Sequence, residues 1–180
     1  LILDKVNTVI VGSNLKAAEA ACKTAEQLGF NSLILSTYIN GEAAQTGQFL
    51  SNILKEISVS GNPVPRPACI IAGGETTVTV RGGGKGGRNQ EVAAGAVRQI
   101  AGLADVAFIT FGTDGEDGPT DAAGAVIDGN TYQQGIDIGL SLEQALAEND
   151  TYHYFSEMNS LLITGPTGTN VNDLTLLFAF

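Results

Sequence analysis

Histidine, cysteine and basic residues are scarce. His153 is the single histidine, and the two cysteines, Cys22 and Cys69, lie far apart in apolar sequence. No Cys/His cluster has the spacing of zinc ligands. Two reduced core thiols are expected, as in cytoplasmic proteins. Lysine and arginine number 9 against 19 acids, a net charge of -10. That balance argues against a general nucleic-acid binder, whose phosphate contacts need cations. No apolar run reaches the roughly 18 residues that suggest a membrane span. Internal repeats and low-complexity tracts are also lacking. What remains is 43% hydrophobic and 16% charged, enough for a core beneath a lightly charged surface. The sequence opens at Leu1 inside an apolar segment and reads as a piece of a longer protein.

Apolar periodicity predicts an α/β chain. Residues 6–11 read as a buried strand, and Gly12-Ser13-Asn14 opens a helix with Asn14 as its cap. Leu15, Ala18, Cys22, Ala25 and Leu28 share one helical face. A strand is expected over 32–36 and a helix over 41–57. Strand, helix, strand, helix favours a parallel sheet. Pro63, Pro65 and Pro67 enforce extended backbone and are read as a linker between two units, 1–66 and 67–180. In the second unit, strands are expected over 68–72, 76–80, 106–111, 122–127, 161–164 and 174–180. Helices are expected over 89–103, 130–140 and 141–149, the last with Ser141 and Gln144 in a capping box.

Glycine is abundant and unevenly placed. Seven of 23 glycines fall between Gly73 and Gly87, together with three of the nine cations, Arg81, Lys85 and Arg88. Glycines let backbone N–H groups converge, and a helix start adds its dipole, so this stretch is expected to bind an anion such as phosphate. Gly82, Gly83, Gly84, Gly86, Gly87 and Asn89 are the candidate contacts, with Lys85 and Arg88 as the cations. The run satisfies G-x-G-x-x-G, but a dinucleotide fold also needs an acid ending the next strand. Here Asp105 precedes that strand and Thr110-Phe111-Gly112 ends it. A Walker A loop is absent, since no Lys with the correct glycine spacing is followed by Ser or Thr.

Two further loops carry polar groups. Thr113, Asp114, Glu116, Asp117 and Asp121 follow a probable central strand, where open α/β sheets place ligands. Asp114 and Asp117 are candidates for holding Mg²⁺. The spacing is not that of an EF-hand. Thr167, Gly168, Thr169 and Asn170 offer hydroxyl and amide groups for phosphate or sugar oxygens. Asp and Gly are also ordinary turn residues, so each loop admits a purely structural role.

Taken together, the loops resemble a known family. Gly73-Gly74-Glu75-Thr76-Thr77-Val78 and Gly84-Lys85-Gly86-Gly87-Arg88-Asn89-Gln90-Glu91 are similar to the first motif of the MOFRL domain. Gly112-Thr113-Asp114-Gly115, continued by Asp117 to Gly124, resembles its second, and Thr164 to Asp173 its third. This domain closes the class II glycerate kinases. The resemblance implies a MOFRL-type α/β domain preceded by the end of a larger Rossmann-like α/β domain. It also implies ATP-dependent phosphorylation of D-glycerate to 2-phosphoglycerate, with ATP and Mg²⁺, in the cytoplasm. Arg88, Lys85 and Asp114 would then be catalytic. The larger domain, with the lysine the family is thought to use, would supply the rest of an interdomain site, leaving this chain inactive alone. A nicotinamide-dependent hydroxypyruvate reductase, an older label for the family, and a non-catalytic metabolite-binding module stay open. So does a homodimer.

Overall fold

The computed structural model describes residues 6, 7 and 9–180. Helix α1 spans Asn14–Gln27, and its cap is Ser13 rather than Asn14: the Ser13 hydroxyl accepts from the Lys16 amide at 3.2 Å. Asn14 points elsewhere, its Nδ2 donating to the carbonyls of Val171 and Asp173 at 2.8 and 2.9 Å. The strand expected over 6–11 lies partly outside the described residues. Its described part has no regular structure, and Val9, Ile10 and Val11 are exposed.

Strand β1 (Asn31–Ile39), helix α2 (Ala43–Ser60) and strand β2 (Ala68–Gly74) follow. Leu50, Leu54 and Ile57 form one buried stripe on α2, each removing an aliphatic side chain from water for about 1.5–3 kcal/mol. Helix α3 (Arg88–Val97) lies against α2 through a reciprocal glycine contact. A Cβ on Gly47 would sit 1.9 Å from the Val92 carbonyl oxygen, and one on Gly95 would sit 2.1 Å from that of Ala44. Helix α3 is shorter than expected and ends at Val97.

Strands β3 (Val106–Gly112) and β4 (Gly124–Asp128), helices α4 (Thr131–Asp137), α5 (Leu142–Ala147) and α6 (Thr151–Glu157), and strands β5 (Leu161–Leu162) and β6 (Asp173–Ala179) complete the chain. Helix α6 was not anticipated. Ser141 caps α5, its hydroxyl accepting from the Gln144 amide at 3.1 Å.

Among the described residues the sheet has six strands, in the order β1-β2-β6-β3-β4-β5. The expected parallel sheet is corrected to a mixed one: β1 and β2 are parallel and every other pair is antiparallel. The cause is β6. The β1–α2–β2 and β2–α3–β3 crossovers leave β1, β2 and β3 pointing the same way, and β6 enters the gap between β2 and β3 reversed. Both edges of β2 are taken, and residues 76–80 do not form the expected strand. They make one bridge, Thr77 to Glu42, and cross the start of α2, where the Ala43 amide donates to the Thr77 carbonyl at 2.9 Å. Nor does the proline segment interrupt the sheet, since β1 on one side of it pairs with β2 on the other.

Alternation along the strands divides the core. Ile70, Ala72, Phe108 and Leu177 face α2, α3, α5 and α6, while Cys69, Ile71 and Leu174 face α1. Cys22 and Cys69 are both unpaired thiols, and burial pushes Cys69 up to about 12.

Candidate functional site

The register places Asp173, the first residue of β6, opposite Gly74 at the end of β2 and Gly112 at the end of β3. The glycine loop after β2, the acidic loop after β3 and the loop before β6 therefore meet at one edge of the sheet. Arg88, the first residue of α3, reaches that point. Its Nε donates to Asp173 Oδ2 at 2.6 Å and its Nη2 to Oδ1 at 2.9 Å, a two-pronged ion pair. Glu75 Oε1 stands 3.9 Å from Nη2. The hydrogen bond with Asp173 is the largest influence holding Arg88 protonated more firmly than an ordinary arginine.

Part of the glycine loop is turned inward, so that the Gly82 and Gly84 amides are already paired, while Gly84, Gly86 and Gly87 also line a cleft beside Arg88. The Arg81 and Gly82 amides donate to Asn149 Oδ1 at 2.7 and 3.0 Å, the Gly84 amide to the Glu148 carbonyl at 2.8 Å, and the Lys85 amide to Asp150 Oδ1 at 3.0 Å. The glycines permit this approach: a Cβ on Gly82, Gly84, Gly86 or Gly87 would fall within 2.4 Å of Glu148, Asp150, Thr151 or Asp117 respectively, whereas Gly83 faces open space. Lys85 is not joined to Arg88. Its Nζ lies 4.2 Å above the ring of Tyr152, whose hydroxyl donates to Asp121 at 2.7 Å.

The start of α3 is likewise already occupied by a carboxylate, and it belongs to Asp117. One oxygen accepts from the Asn89 amide and Nδ2 at 3.0 and 3.2 Å, and the other from the Gln90 amide and Nε2 at 2.8 and 3.0 Å. Asp117 is 1% exposed, and with both oxygens engaged it acts as a buried cap at the start of α3. Asn89 is buried too, and its Oδ1 accepts from the Thr110 hydroxyl at 2.9 Å. Among the described residues, no group of three or more His, Cys, Asp and Glu is placed to hold a metal.

Asp114 is different. It is half-buried, with Oδ1 accepting from the Glu116 amide at 3.2 Å and Oδ2 from Asn170 Nδ2 at 2.9 Å. The acidic loop and the loop before β6 are stitched together around it. The Thr113 hydroxyl donates to the Asn172 carbonyl and accepts from the Val171 amide, both at 2.8 Å. The Thr167 hydroxyl donates to the Thr113 carbonyl at 2.6 Å, and the Thr169 amide reaches that hydroxyl at 3.4 Å. Gly168, at φ +74, turns this loop with open space around it. A Cβ on Gly112 would lie 2.8 Å from Asp114 Oδ1 and 3.6 Å from Asp173 Oδ1, so the two acids share one neighbourhood.

A cleft of about 530 Å³ opens beside Arg88, walled by Thr76, Val78, Val80, Pro119 and Asn149. That volume suits a small-molecule ligand, as does an apolar wall with a few convergent polar groups. Glu91 also lines it and is 5% exposed. Burial raises its proton affinity, while the Asn149 Nδ2 donor at 3.1 Å works the other way. The Thr76 hydroxyl is buried without a partner. Asp173, Glu91, Asn149 and Thr76 were not singled out from the sequence. Thr76 and Glu91 lie in the first motif and Asp173 ends the third, and those places were the available signals.

The family model described as the MOFRL family matches residues 68–173. The chain is 43% identical over 175 residues to a glycerate 2-kinase of Pyrococcus horikoshii, covering 97% of this chain and 40% of that protein. It is 43% identical over 174 residues to a D-glycerate 2-kinase of Thermotoga maritima, covering 97% and 42%. A crystal structure of glycerate kinase from Thermotoga maritima superposes with a TM-score of 0.96 at 42% identity, over 97% of this chain and 42% of that one. The chain thus spans about two fifths of the length of the curated relatives it matches.

Proposed function

This chain belongs to the MOFRL family, and from that premise we propose that it supplies one wall of the active site of a glycerate 2-kinase. The reaction transfers the γ-phosphoryl group of ATP to the 2-hydroxyl of D-glycerate. A bond forms between the hydroxyl oxygen and phosphorus, the bond to the ADP oxygen breaks, and the hydroxyl proton leaves to a base. Such transfer needs positioning and charge neutralisation more than covalent chemistry. The observation that carries the reading is Arg88, fixed by Asp173 and lining a ligand-sized cleft between the glycine loop and Gly118-Pro119 of the acidic loop.

Arg88 would face the glycerate carboxylate or the transferring phosphoryl group. Asp114, a half-buried acid of the site, would take the proton or share a Mg²⁺ ion carried in with the nucleotide. Lys85 would add positive potential from over Tyr152. Residues 1–66 would close the larger Rossmann-like domain, and the rest of that domain would supply the opposite wall. A cytoplasmic setting accords with two unpaired thiols.

A coupled assay of ADP release, run beside an assay of nicotinamide absorbance with hydroxypyruvate, tests the proposal on the complete protein. Glycerate-dependent ADP release supports it. Nicotinamide turnover without ADP release would replace it with the reductase.

A further inference from the structure

A guanidinium has five N–H donors and two distinct forks: a side-on edge formed by Nε and one terminal nitrogen, and an end-on edge formed by the two terminal nitrogens. Asp173 takes the side-on edge of Arg88, through Nε and Nη2 at 2.6 and 2.9 Å. The second Nη2 hydrogen and both on Nη1 remain. The exposure of the pair is asymmetric, with 29% of the Arg88 side chain accessible against 9% for Asp173. The acid is the buried member and the cation faces the cleft. Glu75, the other acid near Nη2, is 3.9 Å away and 56% exposed, so an incoming anion can displace it into solvent.

Asp173 is itself anchored from three sides. Its backbone is paired to both β2 and β3, and its carbonyl accepts from Asn14 Nδ2 at 2.9 Å. A carboxylate on such a frame sets the plane of any guanidinium it grips. Flexible arginines lose rotamer entropy when they bind an anion, and a pre-set fork has already lost it.

We propose that Asp173 is the positioning residue of this site, holding Arg88 side-on so that its end-on fork is presented to a carboxylate or phosphoryl group in the cleft. The proposal rests on the kinase reading above. It explains why lysine would fail at position 88: one ammonium paired with Asp173 offers no second, oriented pair of donors.

The test uses the complete kinase and chemical rescue. R88A should lose roughly 10³-fold in turnover, and millimolar guanidinium should restore part of it by docking on Asp173. In R88A/D173N the same guanidinium should restore nothing. Equal rescue in both variants overturns the proposal. If guanidinium rescues neither, D173N alone decides: a fall of about 10²-fold in kcat/KM at unchanged melting temperature supports positioning, and a fall under about threefold overturns it. A D173N loss confined to KM for glycerate assigns the fork to the carboxylate, and a loss in kcat assigns it to the phosphoryl group. Full activity in R88A would instead remove Arg88, and with it the kinase reading of this site.

Discussion

Asp117 carries four donors on two oxygens, and that occupancy decides what its substitution does. Asp117→Asn must turn an NH₂ group toward one of the two donor pairs. Leaving buried donors unpaired costs about 1–3 kcal/mol each, so urea unfolding should show a loss of about 2–4 kcal/mol, with an unchanged Mg²⁺ requirement for whatever enzyme folds. At Arg88 the larger effect falls on turnover. Arg88→Ala should abolish most of it and Arg88→Lys recover little; because Arg88→Ala leaves the buried Asp173 carboxylate unpaired, it should also cost about 1–3 kcal/mol, and kinetics and melting curves on the same preparations check both. Glu91 answers to pH. Its proton affinity is raised by burial, lowered by Asn149, raised again by Glu42 and lowered by Arg81. The folded state therefore binds the proton more tightly than the unfolded chain, and Glu91 contributes stability below its ordinary value of 4.5 that is lost as pH rises through the raised one. Glu91→Gln cannot ionise, so its melting temperature should gain on the wild type as pH climbs above that value. A constant difference across pH would show that burial does not perturb Glu91. Arg88 stood out in the sequence because it is a cation among glycines. Its partner did not, because Asp173 lies 85 residues away and only the sheet brings them together.

Elements were legible where one local pattern decided them. The stripe on α2, the apolar β2 and the Ser141 cap all follow from periodicity or a single side chain. Residues 76–80 misled because β-branched composition describes a strand but not the partner it pairs with, and the neighbour in sequence, β2, already has β1 and β6 on its two sides. Helix α6 went unseen: it has seven residues, and its N-cap residue, Asp150, makes no side-chain cap hydrogen bond of the kind Ser141 makes for α5. Close helix packing makes a testable demand. Gly47→Ala or Gly95→Ala would drive a methyl group into the facing backbone, and each should cost about 1–3 kcal/mol or more in chemical unfolding. Ser13→Ala removes one cap bond from α1 and should cost about 1 kcal/mol.

At the scale of the molecule, the three motifs could be read together as one site before any strand order was known. Which loops would meet was legible; how they would meet was not. Inward pairing of the glycine loop to residues 148–150 depends on a turn that no motif marked, with Asn149 held at φ +54. For the split site, the expected outcome is that purified residues 1–180 release no ADP from ATP and glycerate while the complete protein does; turnover by the isolated chain would end the two-walled reading. The place of β6 has one more consequence, which concerns time. It is last among the strands in sequence and third in the sheet, so a ribosome must deliver residues 173–179 before β2 and β3 can be joined. Until then each presents an open edge, the condition under which nascent chains mispair and enlist chaperones. The same arrival brings Asp173 to Arg88, so birth of the binding site and closure of the sheet are a single event.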